Sequence, residues 1–267
     1  VHLILANGVY GAPEHFGALQ TVLEPRLPTK VFTFTRLGQP DPSPGAGFGP
    51  MIDRLDAVVR GSPGPVAVLG FSLGGALALD YALLHGERLA ALVLVNAFDR
   101  FQVGHLAPGS IPPVWRVPVH LPHRGIMSRI VHALPWLRRG LFHPDATLAD
   151  IERVMAQSAA STADDLRFQL AHLCLPLPEG HRQRLAKLAE TVPVLLVCSR
   201  DDLIVHPAHT ARLAESMPAA RRLPPFVGGH GFFQHNGTAL ANAVIEFLAE
   251  VEATHPAPPE PGGDGLD

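Results

Sequence analysis

Pro65-Val66-Ala67-Val68-Leu69-Gly70-Phe71-Ser72-Leu73-Gly74-Gly75-Ala76-Leu77-Ala78-Leu79 runs from a short apolar strand into a helix of small residues, with Gly-x-Ser-x-Gly at the turn. Such a pentapeptide arises by chance in a chain with 25 glycines, so the strand before it and the helix after it carry the meaning. A serine on so sharp a turn has its hydroxyl pushed out above the sheet, and the flanking glycines are needed because a Cβ would strike the neighbouring strand and helix. This stretch reads as a nucleophile elbow with Ser72 at its tip.

Apolar runs of the same kind recur at His2 to Ala6, Lys30 to Thr35, Ala91 to Val95, Val192 to Cys198 and Arg221 to Val227. Short, uniformly apolar and rich in β-branched residues, they read as parallel strands buried on both faces. Helical segments fall between them, at Pro13 to Leu23, Pro50 to Arg60, Leu73 to His85, Ala208 to Ser216 and Thr238 to Val251. The alternation predicts an α/β fold with a mostly parallel sheet of about six strands flanked by helices.

The alternation breaks between Asn96 and Glu190. A Pro-rich, irregular stretch (Pro108, Pro112, Pro113, Pro118, Pro122, Pro135) leads into two amphipathic helices. The first opens on a capping box at Thr147-Leu148-Ala149-Asp150, with Ile151, Val154 and Met155 at helical spacing. Leu166, Leu170 and Leu173 mark the second. So long an insertion between core strands is expected to be a lid. The expected division is a core of residues 1–96 and 190–253, a lid of 97–189 and a disordered Pro-, Gly- and Asp-rich tail of 254–267.

At 267 residues the chain is long enough for a sizeable core, and its formal net charge of -3 offers no basic face for phosphates. Nucleic acid is excluded as an expected partner. The apolar stretch from Leu73 to Ala97 is interrupted by Asp80, His85, Glu87 and Arg88, so no bilayer-spanning run is expected. The first residues carry no basic leader, and a cytoplasmic location is expected. Cys174 and Cys198 lie in apolar surroundings and are expected to be packed and reduced rather than bridged.

A serine hydroxyl needs an adjacent base, and that base needs an acid to orient it. Ser199-Arg200-Asp201-Asp202-Leu203-Ile204-Val205 follows the strand Val192 to Cys198, and Gly228-Gly229-His230-Gly231 follows the last strand. The chain order is serine, aspartate, histidine. Among 15 histidines, His230 is flanked by glycines directly after the last strand.

With these stations in place, the sequence resembles the α/β-hydrolase superfamily from His2 to Val251. It is most similar to lidded serine hydrolases such as esterases, enol-lactonases and the aminoacrylate-hydrolase-like group. The family's histidine-glycine at the oxyanion loop appears as Asn7-Gly8, and its post-strand glycine turn as Arg36-Leu37-Gly38-Gln39-Pro40-Asp41. The family's two leading strands are absent, which leaves a six-stranded core or a sequence that begins late. The resemblance implies Ser72 as nucleophile, His230 as general base and then acid, and Asp202 as the acid that fixes the histidine tautomer. It also implies backbone N–H groups of Val9 and Leu73 as the oxyanion hole.

Rivals remain for the acid. Asp201 is adjacent, with one member of the pair expected to bond loop backbone instead, and Asp99 follows the strand that ends at Val95. His206, His209 and His235 read as surface or loop residues, and His120, His123, His132 and His143 as lid residues. His120 and His123 lack the cysteines or carboxylates that would complete a metal site, so no metal or cofactor is expected. Trp115, Trp136, Phe142, Met127 and Met155 either line a pocket or pack the lid.

The expected function is hydrolysis of a small, largely apolar ester, thioester or lactone through an acyl-enzyme on Ser72. Carbon–carbon bond hydrolysis or acyl transfer would use the same residues, and a small-molecule receptor on the same scaffold is the non-catalytic alternative. Haloalkane and epoxide chemistry would want an aspartate where this chain has Ser72.

Overall fold

The computed structural model describes residues 1–8, 11–34, 48–99, 124–157 and 177–254. In chain order it holds β1 (His2–Ala6), α1 (Gly17–Leu23), β2 (Thr29–Phe32), α2 (Gly49–Arg60), β3 (Val66–Phe71), α3 (Leu73–His85) and β4 (Leu89–Val95). There follow α4 (Arg124–Ala133), α5 (Pro135–Leu141), α6 (Leu148–Gln157), α7 (His181–Thr191), β5 (Val194–Val197), α8 (Ala208–Ser216), β6 (Arg221–Arg222) and α9 (Phe233–Thr254). The strands form one six-stranded sheet in the order β2-β1-β3-β4-β5-β6, parallel at every pairing.

Strand side chains alternate between faces, so each strand feeds two cores. Leu3, Leu5, Leu69, Val93 and Val197 turn toward α1 and α9. Ile4, Val68, Leu92, Leu94 and Leu196 turn toward α2, α3, α7 and α8. The central strands β1, β3, β4 and β5 are covered on both faces, which is why they read as near-continuous apolar runs, while the edge strands β2 and β6 carry exposed Lys30, Arg221 and Arg222. Helix α3 is apolar all round because it is buried all round, from Leu73 to Ala82 apart from Asp80.

The structure differs from the sequence reading in several places. Helices α4 and α5 lie in or beside the stretch read as irregular up to Pro135, and α7 forms where no helix was expected. The last strand shrinks to Arg221–Arg222, with pairing resumed at a single bridge between Ser199 and Phe226. Pro224 and Pro225 lie between and have no N–H for the ladder. Helix α9 begins at Phe233 rather than Thr238 and runs through a kink at Asn236, whose amide donates to the Val227 carbonyl at 2.8 Å. His209, read as a surface or loop residue, is 2% exposed in α8, where helical spacing sets it on the inner face with Thr210 and Leu213.

Most of α7 falls inside the expected 97–189 insertion, and its Leu185 and Leu188 pack in the core with α3. Farther forward in the insertion, Val131, Phe142, Ala146 and Ile151 make a small core of their own. The Thr147–Asp150 box caps α6: Asp150 N–H donates to Thr147 Oγ1 at 3.2 Å and Thr147 N–H to Asp150 Oδ2 at 3.0 Å. The Thr147 hydroxyl also donates to Asp150 Oδ2, at 2.7 Å, and this bond first, then the one from Thr147 N–H and the Arg153 guanidinium, hold the Asp150 carboxyl down at about 2. The Pro-rich stretch from Pro108 to Pro122, the expected helix through Leu166, Leu170 and Leu173, the Arg36 to Asp41 turn and Cys174 lie outside the described residues, as does the tail beyond Thr254. Cys198 is a buried free thiol at the end of β5. Among the described residues, no helix is long and apolar enough to cross a membrane.

Candidate active site

The carboxyl ends of β3, β5 and β6 converge, and the chemistry gathers there. Ser72 follows β3 with φ 55° and ψ -121°, a conformation a non-glycine residue adopts at a cost of about 1–3 kcal/mol. The surroundings enforce it. A Cβ on Gly70 would stand 2.5 Å from the Gly74 carbonyl oxygen, and Cβ atoms on Gly74 and Gly75 would overlap the Ala6 carbonyl oxygen and the Ala97 methyl. Ser72 N–H donates to the Val95 carbonyl at 2.9 Å, which ties the turn to β4.

The segment after β6 brings back His230. Its two preceding glycines have φ of 131° and 68°, conformations that need glycine. The imidazole lies against the Phe71 ring at 4.8 Å between centroids. Ser72 Oγ is 3.1 Å from Nε2, and Nδ1 is 2.7 Å from Asp202 Oδ2. A carboxylate only accepts, so Nδ1 carries the proton and Nε2 is left to accept from the serine. The other carboxylate oxygen of Asp202, a 1% exposed residue, accepts from the N–H groups of Ile204 at 2.7 Å and Val205 at 2.9 Å.

The rival carboxylates lie elsewhere. Asp201 Oδ1 accepts from Ser199 Oγ at 2.6 Å and from the N–H groups of Gly228 and Gly229 at 3.0 Å each. Burial pushes its carboxyl up, but these hydrogen bonds outweigh it and leave the group below its ordinary value. Asp99 lies 3.8 Å from His181 Nε2.

On the oxyanion side, Leu73 N–H is the first of α3 and so has no acceptor within the helix. Asn7 is fully buried; its Nδ2 donates to the Ala12 carbonyl at 2.6 Å and its Oδ1 accepts from Gly8 N–H at 2.9 Å. Val9 lies outside the described residues.

One positioning residue escaped the sequence reading. Asn96, fully buried at the end of β4 with φ 45°, accepts from Ser199 N–H at 2.8 Å and donates to the His230 carbonyl at 2.9 Å. An asparagine closing an all-apolar strand is the available signal, since asparagine is among the few side chains that tolerate a left-handed backbone. Of the aromatic residues, Phe142 packs inside the insertion and Trp136 is 64% exposed, while Trp115 and the Met127 and Met155 side chains lie outside the description. The His143 and His235 rings meet tilted by 33° with 4.8 Å between centroids, joining the insertion to α9.

The chain is matched from residue 3 to 243 by the model of the alpha/beta hydrolase family. A polyketide synthase of Burkholderia thailandensis, ThaQ, is 29% identical over 252 residues, 93% of this chain and 12% of that protein. A Caulobacter vibrioides protein named as a carbamate hydrolase, RutD, is 30% identical over 68% of this chain and 64% of its own length. The protein of that name from Rhizobium rhizogenes is 26% identical over 92% of both. The chain thus spans about an eighth of the synthase and under two thirds of the Caulobacter protein.

Among solved structures, a bromoperoxidase from Bacillus anthracis superposes with a TM-score of 0.72 at 16% identity, covering 93% of this chain and 92% of its own. The enol-lactonase from Burkholderia xenovorans does so at 0.71 and 17%, covering 92% and 90%. At such identities these two speak for the fold. With the family's model matched across nearly the whole sheet and its flanking helices, the chain belongs to the alpha/beta hydrolase family.

Proposed function

We propose that this chain is a serine hydrolase of small, largely apolar carboxylic esters, thioesters or lactones, working through an acyl-enzyme on Ser72. The observation that carries the reading is the continuous link from Ser72 Oγ to His230 Nε2 at 3.1 Å and from His230 Nδ1 to Asp202 Oδ2 at 2.7 Å. His230 takes the hydroxyl proton as Oγ attacks the carbonyl carbon, and the imidazolium is stabilised by the buried Asp202 carboxylate. The oxyanion is held by Leu73 N–H, with Val9 N–H as the second donor. Each such donor is worth about 100- to 1000-fold in turnover.

Collapse of the intermediate passes the proton from His230 to the leaving oxygen or sulfur. Water, deprotonated in turn by His230, then attacks the acyl-enzyme, and the acid is released with Ser72 reprotonated. The insertion of residues 97–189 acts as the lid over this reaction.

A second reading is carbamate hydrolysis at the same carbonyl carbon, supported by the likeness to RutD over nearly the full length of both chains. The likeness to a stretch of a polyketide synthase supports keeping acyl thioesters among the substrates.

The test is hydrolysis of p-nitrophenyl esters from acetate to long acyl chains, beside p-nitrophenyl carbamates, by the wild type and Ser72→Ala. Activity should fall by about a million-fold in the variant, and the chain-length optimum sizes the pocket. Hydrolysis retained in Ser72→Ala overturns the nucleophile. Inactivity of both proteins moves the reading to carbon–carbon cleavage or to a receptor.

A further inference from the structure

The insertion grips the histidine loop through its backbone. Helix α5 ends at Leu141, and carbonyls of a helix's last turn have no donors within the helix. Two of them find donors on the catalytic loops. Gly140 O accepts from His230 N–H at 3.0 Å and from Leu203 N–H at 3.2 Å, and Leu141 O accepts from Gly231 N–H at 3.1 Å. One peptide oxygen of the insertion therefore ties the loop carrying Asp202 to the loop carrying His230.

The fit leaves no slack. A Cβ on Gly140 would overlap the Leu203 side chain, and one on Gly229 would stand 2.7 Å from the Arg139 carbonyl oxygen. From the core side, Asp201 holds the same loop by the N–H groups of Gly228 and Gly229. Its second oxygen, Oδ2, is buried without a hydrogen bond among the described residues and lies 3.8 Å from Arg139 Nε. The residues flanking the imidazole are thus fixed from both sides, 228–229 by Asp201 and 230–231 by Gly140 and Leu141.

We infer that Gly140 and Asp201 are positioning residues for the His230 base, so that the insertion contributes to hydrolysis by holding the imidazole over Ser72 as well as by covering substrate. The inference rests on the reading of His230 as base. A shift of the imidazole by about 1 Å is enough to cost on the order of 100-fold in rate, and a Cβ at Gly140, within 2.6 Å of Leu203 Cβ, makes α5 or the loop carrying Asp202 move. Asp201→Asn keeps an acceptor for the glycine N–H groups and loses the charge near Arg139. Asp201→Ala leaves both N–H groups unpaired.

The experiment compares wild type, Gly140→Ala, Asp201→Asn and Asp201→Ala, with Ser72→Ala and His230→Ala as controls. Four readouts are taken: kcat and KM on the preferred p-nitrophenyl ester, the rate of Ser72 labelling by a fluorophosphonate, the downfield proton resonance of His230 Nδ1–H, and the thermal midpoint. Gly140→Ala should lose about 10- to 100-fold in kcat and in labelling rate, with KM within about threefold, and should shift the Nδ1–H resonance. Asp201→Asn should fall between wild type and Asp201→Ala in both rates, and this series carries the test should Gly140→Ala fail to fold.

A folded Gly140→Ala with wild-type kcat, labelling rate and resonance overturns the inference. So does an Asp201 series in which only the thermal midpoint or KM moves. Failure of the base reading is a separate result: His230→Ala would then label and turn over as the wild type does.

Discussion

Gly70 and Gly74 press together inside the turn that carries Ser72, with 2.5 Å between the Gly74 carbonyl oxygen and the place a Gly70 Cβ would occupy. Neither obstacle is a side-chain tip that could swing away. Gly70→Ala and Gly74→Ala should each destabilise by about 1–3 kcal/mol or more, with the elbow displaced. Chemical denaturation and fluorophosphonate labelling check this; an unchanged midpoint with normal labelling would mean that the turn is looser than its packing implies.

Two adjacent carboxylates face different partners, and their variants should separate accordingly. Asp202→Asn turns an acceptor from the ring into an amide and favours the wrong tautomer, for a loss of about ten-thousand-fold in kcat, as in other triads. Asp201→Asn leaves the tautomer alone and should cost far less. If the order of losses is reversed, Asp201 is the acid.

Asn96→Ala removes both the acceptor for Ser199 N–H and the donor to the His230 carbonyl in a fully buried spot. An unpaired buried group costs about 1–3 kcal/mol. Asn96→Gly relieves the positive φ yet loses the same two bonds, so the variants should share a lowered kcat and differ in stability, with glycine the more stable. Equal kcat in wild type and both variants would remove Asn96 from the site.

Burial lowers the His235 pKa below its ordinary 6.5, and the neighbouring His143 lowers it further against the opposing charges of Asp150 and Asp145, with Arg153 adding to the lowering. Between the folded value and 6.5 the unfolded chain binds more protons, so stability is complete above that window and declines as pH falls through it. His235→Gln should narrow the difference in thermal midpoint between pH 8 and pH 5. An undiminished difference would assign that dependence to other groups.

Much of the core was legible because its residues announce themselves locally. The central strands are apolar on both faces, α3 is apolar all round, and Gly70 to Gly74 carries its own steric signature. Ser72, His230 and Asp202 stand at strand ends, where loop residues are few and their types diagnostic. What stayed hidden depends on distant parts of the chain. The Gly140 carbonyl meets His230 through backbone atoms that every residue possesses, so no side chain advertises the contact. The truncation of β6 follows from Pro224 and Pro225, which sit inside a run read whole as a strand despite its opening arginines. His209 is buried by the face of α8 it occupies, a matter of packing partner rather than residue type.

The link between Ser72 and His230 spans 158 positions of sequence. If His230 is the base, as proposed, Ser72 gains it only when β5, β6 and α9 have docked, and on the earlier half of the sheet alone it is an ordinary alcohol. On the proposed reading, reactivity at Ser72 reports the docking of a segment 158 positions away and not the folding of its own elbow.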